Sequence, residues 1–338
     1  MLTIGLDLHW LISVICVLDE TGQEAYIKTI RGRWDILLAD LHKIKDPFKI
    51  CFEASYGYGF LYDHLRQMPL CKEVVVAHPG KIRTSKRKND RMDARKLAEL
   101  LFFKRVASVH VPDIEVRSWR ALIRHRCDAV QERGGLKNQI RALLRTHGIV
   151  PMRGLWTKPG RAWLADLPLP TSMALVHRDM LLTRLDALSA IIARAETELN
   201  AVARRHPGVQ LAMAAPGIGV RTAEAMVAQV DDPRRFSYSK AAGAYFGLIP
   251  CLDESAGKGR FGHITREGPS HIRKFLVEAA WVAVRTSPEI AARYQRLLRN
   301  DPNRKRIAIV AIAHYLARVV VSMLHSGTAW DPQRAAAA

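Results

Sequence analysis

The chain has 338 residues, of which 49% are hydrophobic and 25% are charged, and its 21 glycines and 16 prolines are ordinary contents. These proportions exclude a disordered or collagen-like chain, and the length allows two or three domains with cores of their own. The formal net charge of +20 indicates a polyanionic partner, and nucleic acid is the expected one. The alternative is a membrane-surface protein, which needs a lipid anchor or an exposed basic amphipathic helix, and neither is evident.

The cysteines and the apolar segments indicate the cellular compartment in which the protein is expected to lie. The five cysteines form no CxxC pair, which indicates a reducing cytosol without a disulfide framework or a zinc knuckle. The first residues lack the basic start of a signal peptide and include Asp7. The most apolar segment, residues 307–324, contains His314 and Arg318, which favours a buried core helix over a membrane span. We therefore expect a cytoplasmic protein without a membrane segment.

Short strand patterns alternate with helical patterns over residues 1–104. "LTIGLDL", "ISVICVLD" and "QEAYIKTI" predict a three-strand meander. A helix around "WDILLADLHKI", a strand "FKICFEA", a helix near "FLYDHLRQM" and a strand "EVVVAH" follow, and a helix that begins near Asn89 closes the unit. The order β-β-β-α-β-α-β-α predicts a mixed sheet covered by helices.

Residues 105–206 have mostly helical patterns, with a heptad seam in their second half. Two interpretations of the seam are open: a coiled coil between two chains, or an intrachain hairpin packed against residues 116–147. Gly134-Gly135 predicts a hinge or break in the earlier helix, since an interior glycine costs about 1 kcal/mol relative to Ala. The seam consists of Leu181, Leu185, Leu188, Ile192, Ala195, Leu199 and Val202.

Residues 207–338 form a third predicted region, which is mostly helical. It opens with "PGIGVRTAEAMVAQV", which resembles a helix-hairpin-helix turn. There Gly217 and Gly219 would allow a phosphate to approach backbone N–H groups closely, and a plain tight turn is the alternative. The predicted division of the chain is therefore 1–104, 105–206 and 207–338.

Four carboxylates of the first region are expected to meet. Asp7 and Glu53 lie on two different strands, each on the face opposite its apolar neighbours, and Asp90 and Asp93 share one face of the closing helix. Helix capping is the alternative role for the last two. Like charges packed together are costly unless a cation occupies the site. Oxygen ligands favour Mg²⁺ or Mn²⁺, and the predicted site is a two-metal centre for phosphoryl transfer.

Basic residues surround the acidic pair of the closing helix. They are expected to hold a nucleic-acid phosphate backbone over the metals. These residues are Lys81, Arg83, Lys86, Arg87, Lys88 and Arg91.

The motifs together resemble one family. "IGLDLH", "CFEASYGYG" and "KNDRMDARKLAELL" resemble the DEDD transposases of the insertion-sequence one-ten family, whose first domain has an RNase H/RuvC-like fold. The resemblance continues through "RFSYSKAAGAYFGLIP" and "ESAGKGRFGHITREGPSHIRKFLVEAAW" and covers most of the chain. It implies a metal tetrad at Asp7, Glu53, Asp90 and Asp93. The implied architecture is α/β plus α: an RNase H/RuvC-like mixed sheet, a helical coiled-coil middle, and a mostly helical C-terminal transposase domain.

The resemblance also implies partners and a nucleophile. Family members are bacterial recombinases that move an insertion sequence, and a structured non-coding RNA guides the choice of target and donor DNA. The family's nucleophilic serine falls on Ser255, although Ala256 replaces a commoner Gly and "ITREG" replaces a more basic motif. His263 is open to a structural or a proton-transfer role. The residues expected to neutralise the scissile phosphate are Lys258, Arg260, Arg266 and Arg273.

The predicted function is an RNA-guided, metal-dependent DNA recombinase at the bacterial nucleoid, in which Ser255 forms a covalent phosphoserine link before strand exchange. Two alternatives stay open: a RuvC-like hydrolytic endonuclease or resolvase, and a non-catalytic nucleic-acid-binding protein. A homo-oligomer, dimer or tetramer, is expected because two DNA duplexes must be cut together. The long helical segment between Asp93 and Ser255 further predicts an active site shared between subunits.

Overall fold

The computed structural model describes residues 1–81, 89–255 and 258–332, without the side chains of residues 253–261. The chain divides into two compact units, Met1–Ile114 and Glu115–Ala338, and each has a hydrophobic core of its own. The three-part division at 104 and 206 stays a prediction.

The described part of the first unit follows the predicted order of strands and helices. The elements are β1 (Leu2–Leu8), β2 (Ile12–Leu18), β3 (Glu24–Arg31), α1 (Trp34–Leu41), β4 (Phe48–Glu53), α2 (Tyr58–Gln67), β5 (Cys71–Ala77) and α3 (Asp90–Phe102). The sheet order is β3-β2-β1-β4-β5, in which β1 is antiparallel to β2 and parallel to β4. An antiparallel meander followed by parallel crossovers is the predicted mixed sheet, so the RNase H-like α/β expectation is confirmed.

Alternate side chains of a strand point to opposite faces of the sheet. Both faces of this sheet are apolar and pack against helices. One face, with Ile4, Leu6 and Phe52, forms a core with residues of α1 and α2. On the other face α3 lies directly against β1, where a Cβ on Gly5 would overlap the backbone of Ala94 and Ala98. Gly5 therefore sets the close approach of α3 to the sheet.

The second unit is mostly helical, as predicted, and includes a β-hairpin that the sequence patterns did not indicate. The two strands of the hairpin pair antiparallel. The elements are α4 (Ile114–Thr146), α5 (Lys158–Asp166), α6 (Ser172–Arg205), α7 (Pro207–Ala212), α8 (Val220–Val230), α9 (Ala241–Tyr245), β6 (Pro250–Ser255), β7 (Lys258–Ile264), α10 (Ser270–Thr286), α11 (Pro288–Leu298) and α12 (Lys305–Ser326).

The heptad seam of α6 is used within the chain. Leu181, Leu185 and Ile192 are buried in one cluster with residues of α4. Two ion pairs also join the helices, Arg126 with Glu196 and Arg184 with Glu132 at 3.2 Å, and their positions show that the helices run antiparallel. The intrachain hairpin is therefore the correct interpretation, and this seam is not available to pair two chains.

Helix α4 runs without interruption through Gly134 and Gly135, so the predicted hinge is wrong. Leu136, Ile140 and Leu144 follow the glycines on the buried side of α4 and pack in the hairpin core. Packing of this apolar stripe offsets the helix-propensity cost of the two glycines, about 2 kcal/mol in total.

Helix α12 is the apolar segment noted in the sequence. The span Pro302–Ser326 is long and apolar enough to cross a membrane. However, Ile312, Leu316 and Val320 are fully buried in the core of the second unit. The core-helix interpretation is therefore confirmed.

Among the side chains that the structure describes, the core of the second unit contains one buried carboxylate. Glu224 of α8 is only 1% exposed and accepts a 2.9 Å hydrogen bond from Nη1 of Arg221. Its other oxygen, Oε2, has no hydrogen-bond partner among the described residues. Burial raises the pKa of Glu224 from 4.5 to about 7, although Arg221 and Arg126 lower it. The protonated form therefore persists up to about neutral pH in the folded chain.

We expect Glu224→Gln to remove a pH-dependent loss of stability. Because the folded pKa of Glu224 is raised, its stabilising contribution is full below pH 4.5 and is lost as the pH rises through about 7. The free energy of unfolding of the wild type, relative to Glu224→Gln, should fall by about 3 kcal/mol over this range. Denaturant titrations of both proteins between acid and mildly alkaline pH measure the difference. The exposed residue Glu198 of α6 gives the matched control, and Glu198→Gln should show no such trend. A pH-independent difference for Glu224→Gln would contradict the raised pKa.

Candidate metal centre

The sheet places two of the predicted carboxylates side by side. Strands β1 and β4 are parallel neighbours, with Leu6 opposite Phe52 in the register. Asp7 and Glu53 each follow one residue later, so they share a face at the carboxyl ends of adjacent strands. This is the face that α3 covers.

Helix α3 brings the other two carboxylates to the same edge. Its close packing on Gly5 directs its first turn, which contains Asp90 and Asp93, toward the end of β1. The helix is capped by Asn89, whose side chain accepts a 3.0 Å hydrogen bond from the N–H of Arg91. Because Asn89 supplies the cap, capping does not explain the two aspartates.

Three side chains form the densest part of the cluster. Ligand atoms of Asp7, His9 and Asp90 all lie within 4.8 Å of one another. Nε2 of His9 is 3.4 Å from Oδ2 of Asp7, and the two side chains are 58% and 18% exposed. The cluster is therefore open to solvent on the histidine side and enclosed around Asp7.

The remaining two carboxylates act on Asp7 electrostatically. Burial is the largest cause that raises the pKa of Asp7, and the imidazole of His9 lowers it. The carboxylates of Asp90, Asp93 and Glu53 each raise it further. The structure thus brings all four predicted acids into one interacting group, in which their mutual repulsion favours a bound cation. Carboxylate oxygens with one imidazole fit a hard or borderline divalent ion.

His9 was missed in the sequence interpretation. The signal was its spacing from Asp7, since residues two apart on a strand share a face. Its backbone is held by Trp34, whose Nε1 donates a 3.0 Å hydrogen bond to the carbonyl of His9. Gly57, with φ 75°, lies where a Cβ would overlap the Trp34 ring. Gly57, the first glycine of "SYGYG", therefore allows the packing of Trp34 that supports the end of β1.

The predicted basic run lies only partly in the described structure. Lys81 and Arg91 are exposed at the surface of the first unit. Their phosphate contacts stay predictions. The remaining members lie outside the described residues: Arg83, Lys86, Arg87 and Lys88.

The predicted serine lies at the turn of the β-hairpin. Ser255 is the last residue of β6, and its backbone pairs with that of Lys258 at the start of β7. The side chains of Ser255, Lys258 and Arg260 lie outside the description. His263 is exposed on β7, and no contact of the described structure assigns it a proton-transfer role.

Two of the predicted phosphate-binding arginines follow the hairpin and differ in their contacts. Arg266 is exposed and has a positive φ of 57°. Arg273 instead donates from Nη1 to the carbonyls of Glu267 at 2.5 Å and Gly268 at 3.1 Å. Arg273 therefore holds the loop before α10, and a phosphate contact would fall to its other guanidinium nitrogens.

The two glycines of "PGIG" have different roles. Gly217, with φ 73°, packs so tightly that a Cβ would overlap the backbone of Ala279 and Ala283 in α10. Its lack of a side chain is thus explained by internal packing, as in the tight-turn alternative. Gly219 precedes the first residue of α8, and a Cβ added to it would meet no atom within 4 Å. A close contact between a phosphate and the backbone of this turn therefore stays a prediction for Gly219 only.

Two protein-family models match the chain. The first, a transposase model of the IS110 DEDD type, matches residues 4–149. The second, described as the transposase IS116/IS110/IS902 family, matches residues 209–295. The chain belongs to the IS110 family of transposases. This is the insertion-sequence one-ten family that the sequence motifs resemble, and all four acids lie in the first matched span.

Relatives of this IS110-family transposase match over most of their length. A probable family 20 transposase of Pseudomonas aeruginosa is 27% identical over 87% of this chain and 88% of its own. The transposase for insertion sequence element IS1111A of Coxiella burnetii is 27% identical over 83% of this chain and 78% of its own. A putative transposase of Sinorhizobium fredii, y4qE, is 29% identical over 86% of this chain and 73% of its own. The resemblance thus includes both compact units.

Proposed function

We propose that this IS110-family transposase is an RNA-guided, metal-dependent DNA recombinase that acts through a phosphoserine link. The observation that carries the proposal is the meeting of Asp7, Glu53, Asp90 and Asp93, with His9, at one edge of the sheet. Asp7, Glu53 and Asp93 are half-buried and Asp90 is exposed, and the mutual repulsion of these acids opposes folding unless a cation is bound. A centre of this kind suits phosphoryl transfer on DNA.

Asp7 and Asp90, with His9, are the residues that would hold the cation, and Glu53 and Asp93 would complete the ligand set. A bound Mg²⁺ or Mn²⁺ would stabilise negative charge on the scissile phosphate. The chain's own contribution is rigidity. The contact of α3 with Gly5 and the hydrogen bond from Trp34 to His9 hold the ligand atoms in place before DNA arrives.

Ser255 is proposed to attack the scissile phosphate. Its Oγ forms a bond to phosphorus, one P–O ester bond of the DNA breaks, and the departing DNA oxygen takes up a proton as the serine proton is lost to a base. A free DNA hydroxyl then attacks the phosphoserine, which restores a phosphodiester and releases the serine. The bond energy is conserved, so rejoining needs no ATP. The position of Ser255 at the tip of a hairpin, in the span matched by the second family model, supports this role.

RNA guidance rests on two supports of different kinds. The family resemblance implies a structured non-coding RNA from the element, and the net charge of +20 suits a chain that binds RNA and DNA together. We assign the exposed Lys81 and Arg91 of the first unit to phosphate contacts with one of these strands.

Trapping of a covalent protein–DNA adduct tests the proposal. With a DNA substrate whose cleaved end diffuses away, the wild type should accumulate an adduct that survives denaturation, and peptide mapping should place the DNA on Ser255. Ser255→Ala should form none. Ser172→Ala, at an exposed serine on α6, should form the adduct normally. Cleavage without any adduct would instead support the hydrolytic nuclease, in which water attacks.

A mixing experiment tests whether subunits share the active site. The carboxylates belong to the first compact unit and Ser255 to the second, so a serine of one subunit can serve the carboxylates of another in a dimer or tetramer. We expect a mixture of Ser255→Ala and Asp7→Ala proteins to regain part of the cleavage that each lacks alone. If mixed oligomers form and no cleavage returns, the site lies within one chain.

A further inference from the structure

We infer that a cleft between α4 and α10 binds a single nucleotide unit of a nucleic-acid strand, through its base and its phosphate. This inference rests on the proposal that the chain binds nucleic acid and adds a site distant in sequence from the tetrad. The cleft has a volume of about 500 Å³, which is the size of a small-ligand pocket. Both walls belong to the second unit, with Arg124–Gln131 on α4 and Gly268–Phe275 at the start of α10.

The cleft is lined by more cations than carboxylates, since Asp128 lies there with Arg124, Arg126 and Lys274. Arg124 and Lys274 line it and are both exposed. Within the described part of the chain, neither forms an ion pair with a carboxylate. Arg126 also lines the cleft, but Nη2 of Arg126 is bonded to Glu196 at 2.5 Å. Two free cations facing one cavity suit an anionic group such as a phosphodiester.

The start of α10 adds backbone donors to the same wall. The helix begins at Ser270, and Pro269 before it makes no side-chain capping bond. The N–H groups of a first helical turn have no partner within the helix and favour an anion. They strengthen the phosphate end of the cleft but do not by themselves define it.

The other lining groups suit a nucleobase. His271 and Phe275 form an edge-to-face ring pair with centroids 6.3 Å apart, and both line the cleft. Burial lowers the pKa of His271, Arg124 lowers it further and Asp128 raises it, so the net shift favours the neutral imidazole. Ring surfaces of this kind stack with bases. Gln131 and Asp128 line the α4 side and supply the amide and carboxylate groups that read base edges.

An acidic peptide would use the cations but not the ring pair and the amide together. A divalent metal is disfavoured, because cationic side chains outnumber the one carboxylate, Asp128, in the lining. The combination of anion-binding and base-stacking groups within one cavity therefore favours a nucleotide. RNA and DNA share this chemistry, and the experiment has an arm for each.

Binding measurements test the cleft without catalysis. Full-length Ser255→Ala protein is titrated in EDTA with a short labelled single strand of RNA, and separately of DNA, across salt concentrations. Lys274→Gln should weaken binding about tenfold and reduce the slope of log affinity against log salt by roughly 0.7. Arg285→Gln removes the same charge from an exposed site at the far end of α10, and it should change affinity by no more than about twofold.

Crosslinking gives a second readout. Strands that contain a photoreactive thio-base should crosslink to peptides with Arg124–Gln131 or Ser270–Phe275. Crosslinks in the RNA arm alone identify the guide as the ligand, and crosslinks in the DNA arm alone identify the substrate; either result supports the cleft. Equal effects of Lys274→Gln and Arg285→Gln, or crosslinks that map only elsewhere, would overturn it. If the cleft fails and the Ser255 adduct still forms, only this inference falls.

Discussion

DNA cleavage is expected to fall by about a hundredfold to a thousandfold, or below detection, when any one of the four acids is removed. Each substitution removes one ligand of the cation that would stabilise the scissile phosphate. Nucleic-acid binding should be largely retained, because it depends on basic side chains and not on the four acids. The variants are Asp7→Ala, Glu53→Ala, Asp90→Ala and Asp93→Ala.

The same substitutions are also expected to affect the stability of the metal-free protein. Without metal, the carboxylates of Asp90, Asp93 and Glu53 all oppose ionisation of Asp7, so the removal of one acid relieves repulsion. In EDTA, Asp7→Ala should therefore be at least as stable as the wild type, and addition of Mg²⁺ or Mn²⁺ should stabilise the wild type alone. Thermal unfolding with and without metal measures both effects.

Two further variants sharpen the experiment. Asp35→Ala removes an aspartate that is 66% exposed on α1, and it should cut DNA normally. His9→Asn tests the ligand that only the structure indicated, and it should raise the metal concentration needed for half-maximal cleavage. If the Asp90 and Asp93 variants cut normally and only melt at a lower temperature, a role at the helix start replaces the metal role.

Gly5→Ala is expected to lower the free energy of unfolding of the first unit by about 3 kcal/mol. The added Cβ would overlap the carbonyl oxygen of Ala94 and the amide nitrogen of Ala98. These are backbone atoms of α3 and cannot move alone, so the helix must shift away from β1. Since Asp90 begins the same helix, cleavage should fall together with stability.

The matched control uses glycines in open space. Gly134 and Gly135 of α4 have no atom within 4 Å of an added Cβ. Gly134→Ala and Gly135→Ala should each stabilise the second unit by up to about 1 kcal/mol, because alanine is the better helix former. Denaturant unfolding of the three variants gives the comparison. A Gly5→Ala protein as stable as the wild type would show that α3 does not depend on this contact.

The strands, the helices and the tetrad were accessible from the sequence for physical reasons. The sequence of a half-buried strand alternates between apolar and polar residues, and that of a fully buried strand is continuously apolar. Asp7 and Glu53 interrupt the apolar pattern at positions where a carboxylate is costly without a partner. His9 carried a weaker signal, because a histidine at a strand end is compatible with many roles. The hairpin of β6 and β7 was missed because "ESAGKGRFGH" has the glycines of a loop and little apolar alternation.

The sequence by itself determined the periodicities, the charge excess and the positions of the acids, since these depend only on neighbours along the chain. The tertiary structure decided what each pattern contacts. A heptad seam is satisfied equally by another chain or by α4, and only packing shows that Leu185 and Ile192 meet α4. Gly217 fits a phosphate or a helix equally well, and α10 lies against it. Such partners are many residues away in sequence, and local patterns contain no information on which distant surface comes to lie opposite them.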